Sequence, residues 1–90
     1  MKINIFGYNI FAKGGTSRSN INLVKSLLEI GHEVHYFNYQ DYNKSDITKL
    51  IIYEGLSTKH LHIHQFNSGK ELAHGDLLII TRETFLIMHI

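Results

Sequence analysis

The stretch NINLVKSLLEIGHEVHYFNY (Asn20–Tyr39) decides the fold. Apolar residues recur at helical spacing in its first part: Ile21, Val24, Leu27 and Leu28. They form one apolar stripe, which is typical of a helix that packs against a core. Gly31 is expected to end this helix, because glycine readily adopts the left-handed backbone found just past many helix ends. The segment HEVHYFNY (32–39) then predicts a β-strand.

The residues before this helix predict a strand as well. KINIFGY (Lys2–Tyr8) alternates apolar residues and has β-branched character. Strand, helix and strand together make a βαβ unit, which implies parallel strands joined by a right-handed crossover. Thr16 or Ser17 is expected to cap the helix with its hydroxyl group.

The rest of the chain continues the alternation of helices and strands. The predicted elements are a helix in SDITKLIIYEGL (45–56, capped by Ser45 or Asp46 and ended by Gly55), a strand in KHLHIHQF (59–66), a short helix or turn in SGKELAHG (68–75), a strand in DLLIIT (76–81) and another helix in RETFLIMHI (82–90). The fold class is therefore α/β: a Rossmann-like three-layer sandwich with about four parallel strands and helices on both faces. Residues 1–90 form one domain, and the apolar ending Leu86–Ile90 suggests a truncated N-terminal half-domain.

Composition excludes several classes of function. The net charge is +1 and no basic block stands out, so we expect no nucleic-acid partner. The chain has no cysteine, which rules out disulfides and thiol chemistry and fits a cytoplasmic protein. No apolar run approaches the ~20 residues of a transmembrane helix. A peripheral position at the inner face of a membrane is left open.

The loop KGGTSRSN (13–20) is the main candidate for chemistry. Gly14 and Gly15 would let an anion approach the backbone closely, and the helix start offers free N–H donors. Thr16, Ser17 and Ser19 add hydroxyl groups, and Arg18 adds charge. The spacing is neither GxGxxG nor that of a Walker loop. A plain turn with a capped helix explains the pattern about equally well.

A family resemblance favours the phosphate interpretation. The opening MKINIFGY…KGGTSRSNINLVKSLLEIGHEVHYFNY resembles the start of bacterial GT-B glycosyltransferases of the GT4 type, with a strand, a Gly-Gly loop, a helix ending in a GHEV-like turn and a second strand. The resemblance covers residues 1–39 and is compatible with the element order up to residue 90. It implies retaining transfer of a sugar from a nucleotide donor to a glycan or cell-envelope polymer.

The same resemblance assigns roles within the chain. It implies that Gly14, Gly15 and Thr16 face the donor diphosphate, and that this part of the fold shapes the acceptor side; Ser17 and Arg18 are our extension of that set. Arg82 is a further candidate for phosphate or acceptor, with a surface ion pair as the slightly favoured alternative. No metal or other cofactor is expected. The family's second, donor-binding domain with its paired glutamates is missing from these 90 residues, so we expect the chain alone to be inactive.

Two alternatives remain open. One is an oligomerising binding or assembly module without catalysis, which forms a homo-oligomer through the apolar segment Leu86–Ile90 or by swapping its last helix. The other concerns the segment HLHIH, where His60, His62 and His64 share one face of the predicted strand. Zinc binding there is the less favoured interpretation, because ligands along one flat strand converge poorly. We expect solvated histidines on a half-exposed edge strand.

Overall fold

A computed structural model of the chain describes residues 1–81 and 85–89. Among these residues, strands and helices alternate through most of the chain. The strands are β1 (Lys2–Gly7), β2 (Glu33–Asn38), β3 (Leu61–Gln65), β4 (Leu77–Thr81) and β5 (Phe85–His89). The helices are α1 (Gly15–Ile30), α2 (Lys44–Glu54) and a short 3-10 helix (Gly69–Ala73).

The described strands form one sheet in the order β3-β2-β1-β4-β5. The first four in this spatial order are parallel, while β5 runs antiparallel to β4. The chain moves from β1 outward to β3 and then returns across β1 to form β4. This reversal makes the carboxyl ends of β1 and β4 a topological switch point, which is where ligands bind in open α/β sheets. The predicted Rossmann-like α/β fold is confirmed.

The main core lies between the sheet and the two α-helices. Ile3 and Ile5 of β1 pair in register with Val34 and Tyr36 of β2, so these four side chains share one face of the sheet. All four are at most 1% exposed. They cluster with two residues of α1, Ile21 and Val24. Apolar burial on this scale is the largest favourable contribution to folding.

The opposite face of the sheet, here called the back face, has a much smaller cover. The 3-10 helix lies against β1 there, and Asn4 donates a hydrogen bond from Nδ2 to the carbonyl of Leu72 at 3.0 Å. Helical layers therefore lie on both faces, but in the described part of the chain the second layer is one short 3-10 helix. The described residues leave part of β2 and β3 uncovered on the back face.

Glycine ends both α-helices, as the sequence predicts. Gly31 has φ +104° and Gly55 has φ +65°, the left-handed region that favours glycine. The predicted N-cap of α2 is wrong by two or three residues: Asn43 caps this helix. Its side chain accepts from the Asp46 N–H, and the Asp46 carboxylate accepts from the Asn43 N–H, which makes a capping box.

The helix predicted over 82–90 is wrong, because Phe85–His89 is strand β5. It pairs with β4 from Leu77↔His89 to Thr81↔Phe85. A short apolar run fits a buried helix and a buried strand equally well by periodicity. Pairing with β4 satisfies the backbone groups along an edge that would otherwise be open. Domain swapping by a last helix accordingly loses its structural basis.

In the described part of the chain, no helix combines the length and the apolar character needed to cross a membrane.

Candidate functional site

The β1–α1 loop (8–14) lies at the carboxyl edge of the sheet, at the switch point. Asn38, the last residue of β2, holds it in place. Its Oδ1 accepts from the Ile10 N–H at 2.8 Å, and its Nδ2 donates to the Gln40 carbonyl at 2.7 Å. Asn38 is fully buried, so these bonds are well shielded from water. The neighbouring strand thus fixes the path of the loop toward α1.

The start of α1 has no side-chain cap. Gly14 is the N-cap residue, with φ +133°, and its carbonyl accepts the first helical bond from the Arg18 N–H. The prediction that Thr16 or Ser17 caps the helix is wrong, since the helix begins before both, at Gly15. The Ser17 hydroxyl instead donates to the carbonyl of Asn9 at 2.8 Å. Within residues 1–81 and 85–89, no side chain accepts from the first N–H groups of α1, which is the arrangement that anions use at helix starts.

A depression of about 180 Å³ lies at this helix start. It is lined by Tyr8, Asn9 and residues 12–17. A Cβ on Gly15 would meet no atom within 4 Å, so the backbone is open to a ligand at that point. Lys13, which is exposed, brings a positive charge to the rim. Four of the predicted residues, Gly14 to Ser17, are thus brought together here.

Of the two arginines predicted to bind phosphate or acceptor, the structure describes only Arg18. The Arg18 guanidinium lies 2.7 Å from Oε1 of Glu54, and Lys25 Nζ lies 3.3 Å from the same oxygen. The Glu54 side chain is only 9% exposed, so it ties α1 to α2 from a nearly buried position. Arg18 is therefore engaged by α2 rather than by the loop. Arg82 lies outside the described residues.

Under the loop, the buried hydroxyl of Tyr36 connects sheet and helix. Asn20 of α1 donates to it from Nδ2 at 2.9 Å. Burial raises the pKa of Tyr36 to about 12, although hydrogen bonds with Thr81 and Asn20 partly offset the effect. The phenol stays neutral at any physiological pH. It serves as a fixed polar link beneath the switch point.

A larger groove of about 590 Å³ adjoins the depression and shares Ala12 and Lys13 with it. One wall is the loop, through Ile10 and Phe11, and the other is α2. The wall from α2 includes Tyr53, which is 88% exposed. The carboxyl edge therefore carries a small recess at the start of α1 beside a larger, mostly apolar groove.

The predicted histidine strand is confirmed as an edge strand, but not all its histidines are simply solvated. His60 lies before β3, which begins at Leu61. His64 Nε2 lies 2.9 Å from His35 Nδ1 on β2. Burial, followed by the nearby His35 and His62, lowers the pKa of His64. His62 is exposed.

Sequence reasoning missed two kinds of residue at these sites. Asn38 and Asn9 fix the loop: Asn9 Oδ1 accepts from the Phe11 N–H at 3.1 Å and from Asn38 Nδ2 at 3.3 Å. Neither asparagine carries a local pattern that distinguishes it from other polar residues. His35 and Glu33 lie far from HLHIH in sequence, and only the strand register brings them to it. A prediction of parallel β2–β3 pairing, carried to single-residue register, would have found the second pair.

Comparisons with known proteins give no match: no family model fits the chain, and neither a curated protein nor a solved structure is significantly similar to it.

Proposed function

We propose that this chain is the N-terminal, acceptor-side part of a nucleotide-sugar-dependent glycosyltransferase, and that its β1–α1 loop binds the donor diphosphate. One observation carries the proposal. The start of α1 combines an uncapped set of N–H groups with two glycines at a topological switch point.

The physical basis is the complementarity between this helix start and a diphosphate. Peptide N–H groups at the start of a helix, together with the helix dipole, favour negative charge by about 0.3–1 kcal/mol, and up to ~2 kcal/mol in partly buried geometry. Gly15 presents no side chain, so a phosphate oxygen can reach these N–H groups. Lys13 at the rim adds a mobile cation. The depression of about 180 Å³ accepts a phosphate group, while the sugar and the nucleotide extend beyond it.

The adjoining groove suits the acceptor side. It opens from the same edge, shares Lys13 with the depression, and is mostly apolar along α2. Sugar acceptors bind apolar and aromatic surfaces through their C–H faces, and Tyr53 supplies such a surface. In this proposal the transfer chemistry follows from the family resemblance, which assigns a second domain to the donor nucleotide. We therefore expect the 90 residues to bind diphosphate without transferring sugar.

The test is an amide-shift NMR titration of the chain with UDP, UDP-glucose and inorganic pyrophosphate. Saturable shifts centred on Gly14–Ser17 are expected for all three ligands. Gly15→Ala is the critical variant, because its methyl group meets no protein atom yet stands where the phosphate must approach. It should keep the fold and weaken binding by about tenfold, which corresponds to ~1.4 kcal/mol.

Gly69→Ala is the matched control, since a Cβ at Gly69 also meets nothing within 4 Å and lies in the 3-10 helix. It should bind like the unaltered chain. Absence of shifts at Gly14–Ser17 would refute the phosphate proposal. If sedimentation of the same sample then showed a dimer or larger species, the assembly module would be the better explanation.

A further inference from the structure

The back face of the sheet carries a cluster of metal-ligating side chains remote from the phosphate loop. Glu33, His35 and His62 each place one ligand atom within 4.8 Å of the other two. The first two come from β2 and the third from β3, at the half of the sheet away from the carboxyl ends. The register sets His35 directly beside His62 and leaves Glu33 two residues earlier on the same face.

We propose that Glu33, His35 and His62 form a zinc site that joins β2 to β3. Two imidazoles and a carboxylate make a ligand set that Zn²⁺ uses with water in its fourth position. This inference is independent of the proposed phosphate site, because it uses other residues on another face. It also replaces the one-strand arrangement of HLHIH with ligands from two strands.

The geometry overcomes the objection to ligands on a single strand. Neighbouring side chains on two paired strands lie closer together than residues two apart along one strand. The His35 and His62 rings stack with centroids 4.4 Å apart and planes 15° apart. Glu33 Oε2 lies 2.8 Å from His35 Nε2. These contacts bring the ligand atoms close to one another, and on binding the exposed His62 ring turns out of the stack so that its nitrogen lone pair points at the ion.

Only small movements are needed to bind the ion. Tetrahedral zinc with bonds of about 2.0–2.1 Å holds its ligand atoms roughly 3.4 Å apart. The widest separation, up to 4.8 Å, must therefore shrink by up to about 1.4 Å, and the 2.8 Å between Glu33 Oε2 and His35 Nε2 must lengthen by about 0.6 Å. His62 is exposed and Glu33 is partly exposed, so both can rotate inward without disturbing the core. His35 is the more buried anchor.

The surroundings of His35 fit the role of a metal ligand. Its second ring nitrogen, Nδ1, lies 2.9 Å from His64 Nε2, and the two rings are stacked nearly parallel. With zinc bound, His35 carries its proton on Nδ1, and this N–H donates a hydrogen bond to Nε2 of His64. His35 Nε2 is then left for the metal. Ligating histidines commonly bond a partner through their other nitrogen in this way.

The test is a titration of the chain with Zn²⁺ in competition with a chromogenic chelator, paired with Co²⁺ as a visible probe. We expect one ion per chain and the intense d–d absorption of tetrahedral Co²⁺. A rise in the unfolding temperature with Zn²⁺ should accompany binding, because an ion bound only to the folded state stabilises it. His62→Gln and Glu33→Gln should each weaken binding more than about tenfold while leaving the circular dichroism spectrum unchanged.

His60→Gln is the matched control, since His60 is exposed and lies just before β3, outside the cluster. It should change the affinity less than twofold. Equal losses for His60→Gln and His62→Gln would mean adventitious binding to surface histidines and would overturn the proposal. So would the lack of saturable binding or of a tetrahedral Co²⁺ spectrum.

Discussion

The hydroxyl of Tyr36 occupies the space that a side chain on Gly7 would fill. A Cβ at Gly7 would lie 2.7 Å from Cζ of Tyr36 and 2.8 Å from Oγ1 of Thr81. These three residues come from β1, β2 and β4, so the contact sits where the strands meet at the switch point. Close packing there, rather than backbone conformation, explains the glycine.

Gly7→Ala is therefore expected to destabilise the fold. The added methyl group overlaps the phenol of Tyr36, which is fully buried, and also lies close to Oγ1 of Thr81. Overpacking of this kind typically costs about 1–3 kcal/mol. Urea denaturation followed by circular dichroism measures the change. Gly69→Ala supplies the control, with an expected change below ~0.5 kcal/mol, and an equally small loss for Gly7→Ala would contradict the packing argument.

Because the Tyr36 phenol is buried, the protein is expected to lose stability at alkaline pH. The pKa of Tyr36 rises from 10.0 to about 12 on folding, because burial disfavours the phenolate. A raised folded-state pKa gives stability that is fully present below pH 10 and is lost as the pH rises toward 12. The total loss from this group is of order 2–3 kcal/mol. Denaturation midpoints measured across that pH interval give the slope.

Tyr36→Phe tests the assignment of this slope. The variant loses the hydrogen bond from Asn20 at every pH, which lowers stability by about 1 kcal/mol throughout. It should nevertheless show a flatter decline between pH 10 and 12 than the unaltered chain. An identical decline in both proteins would assign the effect to other groups.

The first half of the fold was predictable because local and global signals agree there. The apolar stripe of α1, the glycine at position 31 and the apolar strands on either side all favour one βαβ unit. Burial then follows the stripe: Ile21 and Val24 contact the core. A pattern of this length leaves few alternatives.

The prediction of a helix at the end of the sequence was wrong for a physical reason. The run 85–89 is short and apolar in its first four residues, so it has neither a helical nor an alternating period to detect. Its structure depends on pairing with β4, which is a tertiary contact. The sequence alone indicates only an apolar segment that needs a partner surface.

The candidate sites likewise contain features that the sequence could predict and features that depend on tertiary packing. The Gly14–Gly15 pair could be placed at the carboxyl edge because it follows a predicted strand and precedes a predicted helix. The ion pair between Arg18 and Glu54 could not be predicted, since it depends on how α1 packs against α2. Likewise, the neighbours of HLHIH depended on a register that no local pattern encodes.

The capping box of α2 predicts a measurable contribution from Asn43. Its side chain accepts from the Asp46 N–H at 3.0 Å and from the Ser45 hydroxyl at 2.6 Å. Asn43→Ala removes the acceptor for the helix N–H and should cost about 0.5–2 kcal/mol. Asn43→Ser keeps an acceptor and should retain most of the stability. Thermal denaturation distinguishes the two variants, and equal losses would contradict the role of the side-chain acceptor.

The ion pairs of Glu54 predict a salt-sensitive contribution to the packing of α1 on α2. Glu54→Gln keeps the shape of the side chain but removes the charge that faces Arg18 and Lys25. Because Arg18 is about half exposed, the expected loss is about 1 kcal/mol at low ionic strength. The loss should shrink as salt is raised, since screening weakens the pairs in the unaltered chain. Glu29→Gln, on an exposed position of α1, should change stability by less than ~0.5 kcal/mol under all conditions. A loss for Glu54→Gln that is independent of salt would instead identify the contribution as packing of a nearly buried side chain.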